Sequence, residues 1–211
     1  MPYSTVRIYP RFRKVQWIPH TAEAIEALVR QFILPHNQSK ENVLDSKLQN
    51  QHDSNLYKVS RIEFPQILIC SHSSRDTRCG IIGPLLYFEF MEHHMDKISR
   101  FPGACRPSFI SEKSQDTSVN PVVDGNYSRP GISMISHIGG HAFAGNVIIY
   151  FPPSWRLPNG KVSSLAGKGI WYGRVEPKHV EGICTETILR GKVIKELFRG
   201  GVGQGGQSFR L

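Results

Sequence analysis

Apolar positions change period several times along the chain, and each change predicts an element. In residues 21–34 (TAEAIEALVRQFIL) they fall at Ala24, Ala27, Leu28 and Phe32, which is helical spacing, and Pro35 closes the run. Residues 64–69 (FPQILI) form a short continuous apolar run, the mark of a buried strand. Gly80 to Met95 predicts a helix opening near Gly83-Pro84, because a first turn tolerates proline. Residues 131–136 (GISMIS), 146–151 (NVIIYF) and 168–175 (KGIWYGRV) read as strands. From Glu186 to Phe198, Leu189, Val193 and Leu197 recur every four residues, and Glu186–Arg190 and Lys192–Glu196 pair opposite charges at i, i+4, so this stretch predicts a final helix. The closing GGVGQGGQSFRL has no period and reads as a flexible tail.

Two segments, 38–60 and 111–130, are polar and turn-rich, the pattern of a linker or a long surface loop. The organisation that follows is an N-terminal extension over 1–58 with one helix, a domain over 59–199 with a loop insertion near 100–130, and the tail over 200–211. Strand, helix, strands and helix in that order, with two cysteines in the first strand-to-helix loop, predict an α/β fold. Its type is thioredoxin-like, a central mixed sheet flanked by helices. No internal repeat is present, and no stretch approaches the roughly 20 apolar residues that span a bilayer.

Composition narrows the classes further. A hydrophobic fraction of 39% in 211 residues supports a real core, and four cysteines are too few for a disulfide-stapled fold. The net charge of +9 suits an anionic surface or an acidic redox partner. No five or six cations lie along one helix, so a nucleic-acid partner is not expected. Arg7, Arg11, Arg13 and Lys14 precede the first acid, Glu23, which resembles a transit peptide in composition. Pro2, Pro10 and Pro19 break the amphipathic helix that such a peptide needs.

The residues with metal chemistry are Cys70, Cys79, His137 and His141. Two thiolates and two imidazoles are soft and borderline donors, which narrows a metal to zinc or iron–sulfur. Eight residues separate the cysteines, a wider gap than the two to four of a zinc knuckle and long enough to wrap a cluster. Arg75, Arg78, the neighbouring hydroxyls and the start of the following helix would stabilise thiolates. Each cysteine taken alone reads equally as a small buried apolar side chain. His137 and His141 flank Gly139-Gly140, and two glycines cost a helix about 1 kcal/mol each, so a tight loop with φ above zero is expected there. The histidine pair alone could be a hydrogen-bonded couple. Beside a loop-borne cysteine pair, the metal reading outweighs it.

The segments CSHSSRDTRCGIIGPLL, SHIGGHAFAGNVIIYFPP and GIWYGRVEPKHVEGICTETILRGKV closely resemble the sucrase/ferredoxin-like family of thioredoxin-fold [2Fe–2S] proteins, most of all its fungal mitochondrial branch, the altered inheritance of mitochondria proteins. The resemblance covers about residues 60–200, and more weakly 7–35. It implies a [2Fe–2S] cluster held by Cys70, Cys79, His137 and His141, both cysteines on one iron and both histidines on the other. It also implies mitochondrial location, an unidentified redox protein as partner, and the iron–sulfur assembly machinery. Full-length members carry a further domain ahead of this region, and residues 1–58 resemble the segment between the two. The chain is therefore expected to be a C-terminal portion, and its basic start not to be a presequence.

The leading expectation is an electron carrier, non-catalytic in itself, with transfer coupled to protons through the imidazoles. Two other classes stand beside it: a thiol–disulfide oxidoreductase using Cys70 and Cys79, and a module with structural zinc. Among other residues, Trp171, Tyr172 and Arg174 read as sheet packing or a docking surface, and His179 as a loop histidine or a donor to the site. Cys105 and Cys184 have no partner at metal-site spacing. Gly201 to Gly206 matches G-x-G-x-x-G but lacks the following helix that a dinucleotide site requires.

Overall fold

The computed structural model describes residues 2–34, 57–74, 76–98 and 131–210, and the insertion expected near 100–130, with Cys105, lies outside them, as does Arg75. The chain divides into two compact units, Met1–Ile62 and Glu63–Leu211.

The first unit is a three-stranded antiparallel sheet, β1 (Tyr3–Ile8), β2 (Arg13–Pro19) and β3 (Lys58–Arg61), with one helix, α1 (Ala22–Leu28). Thr21 caps α1 by accepting from the Ala24 amide at 3.3 Å, and a π-helical turn, Val29–Ile33, continues the helix. Ile8, Val15 and Ile18 from the sheet meet Ala24, Leu28 and Phe32 in a shared core. The segment 38–60, read as linker or loop, is corrected at its end: Lys58, Val59 and Ser60 pair with β2. Val59 packs on that core, which decides the pairing over the polar composition around it.

The second unit holds a six-stranded sheet in the order β5-β4-β6-β7-β8-β9. Its strands are β4 (Gln66–Cys70), β5 (Gly131–Ile135), β6 (Val147–Tyr150), β7 (Gly169–Tyr172), β8 (Phe198–Val202) and β9 (Ser208–Phe209). Only β4 and β5 pair in parallel among the described residues; the other neighbours are antiparallel. A parallel pair needs a crossover, and α2 (Thr77–Ile98) supplies it. The β4-α2-β5 unit followed by the β6-β7 hairpin and α3 (Pro177–Gly182) is the mixed α/β, thioredoxin-like arrangement expected from the sequence. Ile67, Ile69, Ile149, Ile170 and Tyr172 of the sheet, Leu86 and Phe90 of α2, and Val180, Ile183 and Ile188 beyond them form one core.

Three expectations need correction here. Helix α2 begins at Thr77, earlier than Gly83-Pro84, so Pro84 lies inside it. No helix runs from Glu186 to Phe198. It starts instead at Pro177, where Glu176 and His179 form a capping box, and continues as a π-helical stretch, Ile183–Leu189. Gly191, at φ 67°, leaves the helical region, and Phe198 opens β8. The tail is a pair of strands. Gly201 is buried, and a Cβ there would meet the Phe209 ring 2.6 Å from Cε1, so the glycine gives room for an aromatic lid.

Tyr172 ties the sheet to the chain after α3. Its buried hydroxyl lies 2.7 Å from Thr187 Oγ1 and accepts from the Ile194 amide at 3.1 Å. Tyr172→Phe leaves both partners unsatisfied and is expected to cost about 1–3 kcal/mol. A urea midpoint equal to that of the unsubstituted chain would contradict this.

Candidate metal centre

The first arm of the site is the loop from β4 to α2. Cys70 is the last residue of β4 and is 1% exposed, with its amide donating to the Asn146 carbonyl at 3.0 Å. In extended chain, residues i and i+2 share a face. His72 therefore follows Cys70 on the same side and brings Nδ1 to 3.2 Å from Cys70 Sγ. Asp76 ends the loop as the cap of α2, accepting from the Arg78 amide at 2.9 Å through Oδ1 and from the Cys79 amide at 3.1 Å through its carbonyl. The Arg78 guanidinium pairs with the same carboxylate at 2.7 Å. Cys79 thus sits in the first helical turn, also 1% exposed.

Glycines let the loop lie against the helix. A Cβ on Gly80 would stand 2.6 Å from Ser73 Cβ, and one on Gly83 2.7 Å from the Cys70 carbonyl oxygen. With the loop so placed, one ligating atom from each of Cys70, His72 and Cys79 lies within 4.8 Å of the other two.

The second arm leaves the end of β5. Because β4 and β5 are parallel, with Cys70 opposite Ile135, both chains exit the sheet at the same edge. The Ser71 amide donates to the Ile135 carbonyl at 3.0 Å and locks them there. His137 follows, and its ring packs edge-on against His72, with centroids 4.8 Å apart and planes at 77°. Gly139 has φ 75°, as the tight-loop reading required, whereas Gly140 does not have positive φ. His141 opens a 3-10 turn, His141–Phe143; its side chain lies outside the described part of the structure. Gly145, at φ 90°, joins the two arms: its backbone is hydrogen-bonded to the Cys79 thiol, and its carbonyl accepts from the Val175 amide at 3.1 Å.

Burial pushes the Cys79 thiol up to about 11, helped by Cys70 beside it and by Asp76, while the Gly145 hydrogen bond pulls the other way. The start of α2 favours a thiolate, but desolvation wins. Near neutral pH the Cys79 thiol carries its proton, and a cation bound at its sulfur would displace it. The donor set, two buried thiols with the His72 imidazole beside them and the His137 ring against His72, fits a metal that takes sulfur and nitrogen.

The structure thus brings together Cys70, Cys79 and, through His72, the ring of His137. His72 was missed by sequence reasoning, though its i+2 spacing from Cys70 at the end of a strand was a usable signal. His179 is absorbed by capping, with its Nδ1 accepting from the Glu176 amide at 3.1 Å, and Cys184 is buried in the core.

The sequence profile of the sucrase/ferredoxin-like family matches residues 2–200. Curated relatives named altered inheritance of mitochondria protein 32 are similar. The one from Debaryomyces hansenii is 38% identical over 69% of this chain and 39% of its own length. The one from Meyerozyma guilliermondii is 29% identical over 92% of this chain and 56% of its own length. The chain thus spans about half or less of these relatives. Among solved structures, a variant of the thioredoxin-like [2Fe–2S] ferredoxin from Aquifex aeolicus covers 64% of this chain and 97% of its own, at 15% identity and a TM-score of 0.36. Among the described residues no helix is long and apolar enough to cross a membrane.

Proposed function

The chain belongs to the sucrase/ferredoxin-like family, and from that premise we propose that it is a redox carrier holding a [2Fe–2S] cluster through Cys70, Cys79, His137 and His141. The observation that carries the reading is the convergence of the Cys70, His72 and Cys79 ligating atoms within 4.8 Å, two of those residues fully buried, with the His137 ring against them. When bound, such a cluster supplies one-electron transfer.

The chain's own groups then have definite tasks. Burial of both thiols keeps water from the sulfur side. The Gly145 backbone and His72 Nδ1 give the sulfurs hydrogen bonds, which tune a cluster's potential. Neutral imidazoles in place of two thiolates leave the site less negative and favour the reduced state. A ring nitrogen facing solvent would couple electron and proton uptake. The relatives' names make the mitochondrion the proposed location, and an acidic redox protein suits the net charge of +9.

Anaerobic reconstitution with iron and sulfide tests this. A red-brown protein with two irons, and a [2Fe–2S] EPR signal after dithionite, is expected. Cys70→Ser and Cys79→Ser should each abolish the colour. A colourless chain binding one zinc would replace the proposal with a structural site. The second reading is thiol–disulfide exchange, since Cys70 and Cys79 sulfurs are hydrogen-bonded to each other. A metal-free chain with a reducible Cys70–Cys79 link would favour it.

A further inference from the structure

Next to the glycine hinge, between it and strands β6 to β8, lies a cavity of about 190 Å³. Its walls are mainly apolar and include Ile138, Phe143, Ile148 and Trp171, with Asn146 and Arg199 supplying polar groups. A cavity of about 150 Å³ lined by apolar side chains holds benzene, so this volume suffices for one aromatic ring and a small substituent. Trp171 leaves 43% of its surface exposed on this wall, a large apolar area for β7 to show to water.

Charge decides what kind of ring. Two guanidiniums crowd the single ring of Phe143, Arg199 Cζ at 4.6 Å from its centroid and Arg174 Cζ at 5.3 Å. Among the described residues neither has a carboxylate partner, and Arg199 Nε is buried without a hydrogen-bond partner. A desolvated guanidinium donor left unmade is unfavourable, and two like charges on one ring add to that. Arg174 also sits at φ 58°, a left-handed conformation that costs a non-glycine residue about 1–2 kcal/mol. It is held there by its amide on the Phe143 carbonyl at 3.3 Å and its Nε on the Ala142 carbonyl at 3.4 Å. Strain, crowded positive charge and an open apolar cavity coincide at one place. A bound anion with an apolar body would relieve the second and fill the third.

We propose that this cavity binds a compact planar monoanion, an aromatic or conjugated carboxylate. Its ring lies against the apolar walls and its carboxylate takes the Arg199 guanidinium, a planar fork suited to carboxylate geometry. Arg174 strengthens the attraction from the rim. The hinge that carries His137 and His141 forms part of the wall, so an occupant touches the backbone between them. The site stands independently of which metal, if any, the cysteines hold.

Benzoate is the probe, with benzyl alcohol as its neutral counterpart, titrated into the full chain and followed by saturation-transfer NMR and calorimetry. Saturable 1:1 benzoate binding is expected, with benzyl alcohol at least 10-fold weaker. Arg199→Gln should weaken benzoate by about 10-fold or more and leave benzyl alcohol unchanged. Trp171→Ala, at a position 43% exposed, should weaken both ligands several-fold. The proposal is overturned by absent or non-saturable benzoate binding, by equal binding of the alcohol, or by benzoate affinity unaffected in both variants. Because the readout needs no iron, a colourless protein that binds benzoate would separate this site's success from failure of the cluster reading.

Discussion

Alanine at Gly145 is expected to destabilise the second unit by about 3–5 kcal/mol and to abolish retention of the proposed cluster, although the substitution adds one methyl group. Two effects combine. The residue has φ 90°, outside what an L side chain adopts without strain. A Cβ there would also overlap the Val175 carbonyl oxygen and stand 2.8 Å from the Val175 amide nitrogen, and backbone cannot rotate out of the way. Overpacking of that kind adds roughly 1–3 kcal/mol to the conformational strain. The displaced group is the one bonded to both Val175 and the Cys79 thiol, so the arm bearing the histidines would move away from the cysteines. A domain has only about 5–15 kcal/mol in total. Gly182→Ala is the control: φ there is −60° and an added Cβ meets nothing within 4 Å, so slight stabilisation is expected. If urea midpoints of the two variants coincide, the account of Gly145 as the clasp between the arms is wrong.

The contrast between Gly145 and the tail shows where sequence reading succeeds and where it stops. Strands β4, β6 and β7 were legible because they are short, largely buried apolar runs, and the cysteine loop follows from the first of them. The last helix was misplaced because Leu189, Val193 and Leu197 share a four-residue spacing for different reasons. Leu189 ends a helical stretch begun at Pro177, while Leu197 enters the core from a turn. Gly191, with its left-handed backbone, is the sequence clue that should have outweighed the period. The glycines of 200–206 suggested freedom, yet Gly201 is required by contact with Phe209, a tertiary reason no local pattern carries. The site itself was half legible. Thiols and imidazoles announce metal chemistry by type alone, but that the His137 arm reaches the cysteine loop depends on the parallel pairing of β4 with β5.

That dependence gives the second large effect. His137→Ala and His141→Ala are each expected to lose the visible spectrum of the reconstituted protein, whereas His72→Ala keeps it with a lower midpoint potential. Cys70 and His72 are already hydrogen-bonded, Sγ to Nδ1 at 3.2 Å, and with the proposed ligand set this contact would tune the sulfur rather than bind iron. His137, whose ring packs on that of His72 with centroids 4.8 Å apart, arrives on a separate arm of the chain, as a ligand for a second iron must. His137→Cys should retain a cluster, because a thiolate replaces the imidazole. The added negative charge should lower its potential by on the order of 100 mV or more, judging from the gap between bis-imidazole and all-thiolate [2Fe–2S] centres. Protein-film voltammetry on the three alanine variants and on His137→Cys reads all of this at once. Loss of the spectrum in His72→Ala with its retention in His137→Ala would transfer the ligand role to His72. An unshifted midpoint in His137→Cys would remove His137 from the cluster altogether.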